Sequence, residues 1–299
     1  MYQIISDGSC DLDVTIVKEN DLQIVPFYIS IDGKTHQKEI EELGIREFYQ
    51  FMVDNPKVFP KTSLPSIKDY LEVFTPLVEK KIDIICICIT TKFSGSYNSA
   101  MNAKELLLEQ YPSAKITIID ATVNTVLQGL LVLEAVKMKE AEYNYQEVID
   151  TIESIKSTGR IFFTIGSMDY LVHGGRVGKL AGVAAGTLGL KPLIVLEDGE
   201  INKAGIVRGR KISKKKIIEL TLQHLQKNNI NPSDYEFTIG YGYDIEEGKE
   251  CMHAFISALK EAYPDYQETS IPVRQIGATI GVHTGPMPIG IGILKKYNK

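Results

Sequence analysis

Little in this chain of 299 residues suits it to a membrane, a nucleic acid or a metal. No apolar run approaches the ~18 residues of a membrane span. Lys and Arg number 33 against 38 Asp and Glu, and a formal net charge of -5 excludes the basic surface that a phosphate backbone demands. There are only four cysteines. Cys86 and Cys88 share one face of an apolar strand pattern, Cys10 and Cys251 stand alone, and the paired Cys or Cys/His spacing of a zinc site is missing. They are expected to be reduced structural thiols, as in the cytosol. No secretory leader is recognisable, because Met1 runs almost directly into a strand pattern. The expectation is a soluble, cytoplasmic protein with no cofactor and no metal.

Two chemical motifs are also missing. Gly174-Gly175-Arg176-Val177-Gly178-Lys179 is one residue short of a phosphate loop, and Leu180 follows the lysine where Ser or Thr is required. Ser94 does not sit in a Gly-x-Ser-x-Gly nucleophile elbow, and no acid is placed beside His283 in sequence to orient it as a base.

What is present is an ordinary globular composition, 44% hydrophobic and 24% charged, in a chain long enough for two cores. Residues 1–155 alternate strand and helix patterns. Strands are expected at Tyr2–Ile5, Leu22–Ser30, Ile82–Thr90 and Lys115–Ile119, and helices at Ile45–Val53, Ser66–Lys80, Ser96–Gln110, Thr125–Glu142 and Tyr145–Ser157. Continuous apolar strands between helices predict a doubly wound, mostly parallel α/β sheet. Asp32-Gly33 predicts a small hairpin excursion near residues 28–37. Residues 156–299 predict an α+β domain with a mixed or antiparallel sheet. Its strands are expected at Arg160–Ile165, Leu193–Glu197, Ala204–Val207, Glu236–Tyr241, Val273–Ile276 and Ile289–Leu294, with a hairpin turn at Asp198-Gly199. Its helices are expected at Met168–Val172, Lys179–Thr187, Ser213–Asn228 and Glu246–Ala262.

Polar turns mark the candidate site. Ser6-Asp7-Gly8-Ser9, Thr62-Ser63-Leu64-Pro65-Ser66 and Ser94-Gly95-Ser96 adjoin expected strands or helices of the first half. His283-Thr284-Gly285-Pro286 is read as a turn between two apolar strands near the C-terminus. Parallel sheets bind ligands beyond the carboxyl ends of their strands, which places these turns on one cleft between the domains. They offer neutral donors to a small anion, and Gly95 would let backbone approach it. Each has a simpler reading: Ser94 as a helix cap, Ser66 with Asp69 as a capping box, His283 as a structural histidine, Asp7 as a cap. The small-residue run Ala181–Gly189 serves either close packing or the wall of an apolar ligand. Seven basic residues without an acidic one lie between Ile201 and Ile218. The Lys side chains suit a solvated helix face, whereas Arg208 and Arg210 suit a phosphate or an acidic partner.

Taken in order, these motifs resemble the DegV family of bacterial fatty-acid-binding proteins over essentially the whole chain. They are Ser-Asp-x-x-x-Asp-Leu at Ser6–Leu12, Thr-Ser-x-Pro-Ser at Thr62–Ser66 and Ser-Gly-Ser-Tyr-x-Ser-Ala at Ser94–Ala100. Tyr170-Leu171, Gly174-Gly175-Arg176, Lys191-Pro192, Arg208-Gly209-Arg210-Lys211 and His283-Thr284-Gly285-Pro286 follow. Gly8, Leu64 and Lys92-Phe93 depart from the family's usual residues.

The resemblance implies a long-chain fatty acid such as palmitate or oleate held between the two domains. Its carboxylate would rest on Thr62 and Ser94, with Gly95 and His283 beside it and Ser6, Ser63 and Ser96 behind. It also implies presentation of the fatty acid to a separate fatty acid kinase, with Arg176, Arg208 and Arg210 as candidate partner contacts. The protein itself would not be an enzyme. Two other classes stay open on the residues alone: a serine hydrolase or acyltransferase using Ser94 and His283, and a phosphosugar-binding regulator using Arg208 and Arg210.

Overall fold

The computed structural model describes residues 1–180 and 189–297. The helix expected over Lys179–Thr187 and most of the small-residue run lie outside the described residues.

The first half builds a fully parallel sheet from β1 (Tyr2–Asp7), β2 (Gln23–Val25), β6 (Asp83–Cys88) and β7 (Ile116–Asp120), in the order β2-β1-β6-β7. β6 is buried from Ile84 to Cys88, as its unbroken apolar run predicts for a strand covered on both faces. The helices of this half are α1 (Val14–Glu19), α2 (Ile45–Asp54), α3 (Ile67–Glu79), α4 (Ser96–Gln110), α5 (Thr125–Glu140) and α6 (Tyr145–Lys156). α3 starts at the expected capping box of Ser66 and Asp69. α1 was not expected, because it is short and buries no residue, which leaves no apolar periodicity to read.

The strand expected over Leu22–Ser30 is two strands in two sheets. It breaks at Pro26, which has no N–H to offer a ladder. Beyond it β3 (Tyr28–Ser30) pairs antiparallel with β4 (Gln37–Lys38), the expected hairpin, and also with β5 (Lys61–Ser63). Thr62 therefore lies in an edge strand of a small three-stranded sheet, and not in a turn leaving the main one.

In the second half, β8 (Arg160–Thr164), β9 (Leu190–Glu197), β10 (Glu200–Arg208), β11 (Tyr235–Tyr241), β12 (Val273–Gln275) and β13 (Ile289–Lys295) form one mixed sheet, ordered β10-β9-β8-β13-β11-β12. Only β11 and β12 run parallel. Asp198 and Gly199 make the β9–β10 hairpin with φ of 50° and 81°. The helices are α7 (Asp169–His173), α8 (Arg210–Lys227), α9 (Ile245–Ala262) and α10 (Ala278–Thr284). His283 and Thr284 thus belong to the last turn of α10, and the turn expected there begins only at Gly285.

α8 and α9 cover one face of the mixed sheet around Phe237, Phe255 and Ile291. The other face shares a core with α5, α6 and the parallel sheet, in which Leu127 and Leu131 meet Ile161 and Leu196. α5 is accordingly buried at nearly every position from Thr125 to Val136, on all its faces.

Candidate ligand-binding site

A cavity of about 410 Å³ opens where the start of α5, the inner face of the mixed sheet, α10 and β5 converge. Most of its wall is apolar and includes Phe27, Phe93, Ile161, Phe163, Leu196 and Ile280. Thr62, Ser63, Ser94 and His283 also line it, so the structure brings together hydroxyls and a histidine that are far apart in sequence. Arg176 is on the wall as well.

The polar groups have defined local roles. Ser94 Oγ accepts from the Ser96 amide at 3.2 Å, which leaves its own proton to donate. Gly95 is the residue before α4, in an ordinary backbone conformation, and a β carbon there would come 3.3 Å from Leu64 Cδ2. Gly95 thus accommodates Leu64, itself an exposed wall residue. Thr62 Oγ1 and His283 Nε2 make a long contact of 3.4 Å.

His283 Nδ1 is buried without a hydrogen-bond partner. It points at Gly174, where a β carbon would come within 2.1 Å of it. Nδ1 has neither a donor nor an acceptor, so the polar contact of the ring is that of Nε2 with Thr62 Oγ1, in which the tautomer decides the donor. Burial, and then the charge of Arg176, push the imidazole down to about 4, so it is neutral at neutral pH. Arg176 is held at the rim by the carbonyls of Phe93 (Nε, 3.1 Å) and Gly174 (Nη1, 2.8 Å).

This arrangement suits binding better than acyl transfer. A triad base needs its second nitrogen oriented by an acid and a pKa near the working pH. His283 has neither, and its hydroxyl partner is Thr62.

Ser6 and Ser96 lie behind the cavity and do not line it. Both are fully buried in a network centred on Asp7. Asp7 Oδ2 accepts from Ser96 Oγ (2.8 Å) and from the Ile89 amide (3.0 Å), while Oδ1 accepts from Ser9 Oγ (2.6 Å) and Gln128 Nε2 (2.9 Å). Ser6 Oγ donates to the Ile87 carbonyl at 2.8 Å. Burial pushes the Asp7 carboxyl up while these donors pull it down. Ile89 lines the cavity, so the network backs its wall.

Three polar wall residues went unread as site residues in the sequence: Asn124, Thr125 and Thr279. Thr125 begins α5 with a φ of 51°, a strained value for a β-branched side chain. No sequence signal marks it.

The two arginines of the basic run part company. Arg210 makes a two-pronged ion pair with Glu247, Nε to Oε1 at 3.1 Å and Nη2 to Oε2 at 2.6 Å, with both side chains under one-fifth exposed. Lys214 pairs with Glu247 and Glu250, and Lys215 and Lys216 with Glu219, so with Arg210 four of the seven cations share three carboxylates of the chain. Arg208, at the end of β10, is exposed. Its side chain packs 3.9 Å from the β-carbon position of Gly189.

Comparisons with known proteins show the family and the fold. The sequence model of the DegV family, described as uncharacterised proteins, matches residues 1–296. A DegV domain-containing protein of Clostridium perfringens is 30% identical over 286 residues, which cover 95% of this chain and 94% of the relative. The chain belongs to the DegV family. Among solved structures, that of a stearic-acid-binding protein from Eubacterium ventriosum is 43% identical and superposes with a TM-score of 0.91 over 99% of both chains. A DegV family protein from Thermus thermophilus, described for its fatty-acid binding, superposes with a TM-score of 0.83 at 23% identity, covering 98% of this chain and 99% of that one. At that identity the likeness speaks for the fold alone. Among the described residues, no helix is long and apolar enough to cross a membrane, and no cluster of three or more His, Cys, Asp or Glu could hold a metal.

Proposed function

We propose that this protein binds one long-chain fatty acid in the cavity between lobes 1–155 and 156–299, and presents it in the cytoplasm to a fatty acid kinase, as a carrier and not as a catalyst. The carboxylate rests on the hydroxyls of Thr62 and Ser94, with neutral His283 aligning Thr62 and Arg176 at the rim. The observation that carries this reading is the cluster of neutral donors on the wall of a mostly apolar cavity. The stearic-acid-binding relative at 43% identity supports the ligand class.

The energetics are consistent. Some fifteen methylenes at ~0.8 kcal/mol each contribute about 12 kcal/mol before the costs of association. The head group then needs only hydrogen bonds, each contributing roughly 1–3 kcal/mol to a charged acceptor. A cavity of about 410 Å³ lies within the usual range for small-ligand pockets.

Organic extraction of the purified protein should recover about one palmitate, stearate or oleate per chain, carried from the expression host. Recovery of none, together with no rise in melting temperature on adding palmitate or oleate, would rule the reading out. A fluorophosphonate probe should leave Ser94 unlabelled, because His283 does not activate it.

A further inference from the structure

Three segments far apart in sequence meet at the first turn of α10. Asp11, in the turn after β1, accepts from Thr125 Oγ1 at its Oδ2 and lies beside the Gly277 amide, which favours its charged form. Glu39, just after β4, accepts from the Thr279 amide at 3.1 Å, from Thr279 Oγ1 and from the Ala278 amide. Both carboxyl groups are buried, and their partners here are hydroxyls and amides. A β carbon on Gly277 would sit 2.4 Å from Asp11 Oδ1 and 2.6 Å from Glu39 Oε1, so the two oxygens face each other across that glycine. Asp11 Oδ1 has no hydrogen-bond partner.

Two buried carboxylates so placed disfavour each other's charge, which favours one proton on the pair. Glu39 has three donors and suits the charge, whereas Asp11, with its bare oxygen, suits the proton. Burial first and then the charge of Glu39 push Asp11 well up, and burial pushes Glu39 up as well. The other titratable groups facing the pair supply no compensating cation. They are Asp7 at the end of β1, the buried Cys10 thiol beside Asp11, and Tyr49 from α2, whose buried hydroxyl is unpartnered. Arg274 of β12 interacts instead with Asp13 and Cys10.

The pair touches the cavity through its partners. Thr125 and Thr279 both line it, and α10 carries Ile280, His283 and Thr284 to the same wall. Asp11 and Thr125 each hold a left-handed backbone, with φ of 50° and 51°. Such strain persists where surrounding contacts enforce it.

We propose that Asp11 and Glu39 are positioning residues for the ligand site: they share one proton and in that state clamp α10 and the first residue of α5 against the cavity. Loss of the proton sets two like charges across Gly277 and loosens α10, and with it the contact of His283 to Thr62. The link to ligand affinity rests on the fatty-acid reading; the proton pair itself does not.

The test compares wild type, Asp11→Asn and Glu39→Gln as full-length proteins. Melting temperature without ligand and titration with cis-parinaric acid are each followed from about pH 5 to about pH 9. A carboxyl whose pKa is raised on folding stabilises the folded state at low pH, and that contribution is lost as pH climbs toward the raised value. His283, pushed down to about 4, adds an opposite slope below about pH 6.5 that the variants share, so wild type should lose melting temperature and affinity relative to Asp11→Asn as pH rises. Asp11→Asn mimics the protonated acid and tolerates a left-handed backbone. It should flatten both profiles while staying within about twofold of the best wild-type affinity, whereas Glu39→Gln costs about tenfold. An Asp11→Asn variant that keeps the full wild-type slope, or loses as much affinity as Glu39→Gln, would overturn the proposal. A wild type that binds no fatty-acid probe at any pH would overturn the ligand reading instead, while the melting profiles still decide the proton pair.

Discussion

Two sets of hydroxyls lie on opposite sides of the cavity wall, and they differ in where their hydrogen bonds end. Behind the wall, Ser6, Ser9, Ser96 and Gln128 form a closed network with Asp7 and the neighbouring backbone, fully buried. On the wall, Ser94 has a donor to spare, and the Thr62 hydroxyl makes a long contact of 3.4 Å with His283 that leaves room for a ligand oxygen. The same residue types therefore do two jobs. A satisfied hydroxyl holds the sheet edge together, and one with a spare donor is available to a ligand. Burial of a polar group is tolerated only when its partners are met, which forces this division.

Breaking the closed set should cost the fold most. Asp7→Val leaves the Ile89 amide without its acceptor and takes one partner each from Ser9, Ser96 and Gln128, which keep Gln128, Tyr70 and Ser6 respectively, and we expect a loss of about 2–4 kcal/mol in urea unfolding. A loss under about 1 kcal/mol would mean that the network is not a structural unit. The open set should behave in the opposite way. Thr62→Val and Ser94→Ala should each weaken fatty-acid binding by roughly 1–3 kcal/mol, since a buried carboxylate loses a donor. Their effects should be non-additive if they share one oxygen network, as calorimetric titration of the double mutant would report.

The arginines repeat the contrast at smaller scale. Arg210→Ala leaves Glu247 partly buried without its two-pronged partner and should cost about 1–2 kcal/mol of stability. Arg208→Ala should change stability by less than about 0.5 kcal/mol and leave fatty-acid binding intact. If Arg208 steers the kinase encounter, this variant should slow phosphorylation of the bound acid at low salt, with the defect shrinking as salt rises. Equal rates at low salt would return Arg208 to an ordinary surface role.

This contrast also marks how much could be read from the sequence. The parallel sheet was legible, because β6 and β7 carry apolar runs that suit strands covered by helices. So was the start of α3, since a capping box is a local motif. Thr62, Ser94 and His283 were legible as candidates from their polar turns and their resemblance to a family. The separation of Ser94 from Ser6 and Ser96 was expected from the family resemblance alone, with no local pattern to show it. It depends on Asp7 and Gln128, which are 121 residues apart. The split of Arg208 from Arg210 depends on Glu247, 37 residues beyond Arg210. The helical setting of His283 was hidden by the shortness of α10. Its first turn is held by Asp11 and Glu39, not by any local signal.

The most direct measurement is native mass spectrometry of the wild type beside the Thr62→Val/Ser94→Ala double mutant, both purified from the same host. The account predicts one adduct with the mass of a long-chain fatty acid on the wild-type chain, and a much weaker adduct on the double mutant after equal washing. A bare wild-type chain even after incubation with palmitate and oleate, or equal adducts on both proteins, would contradict it.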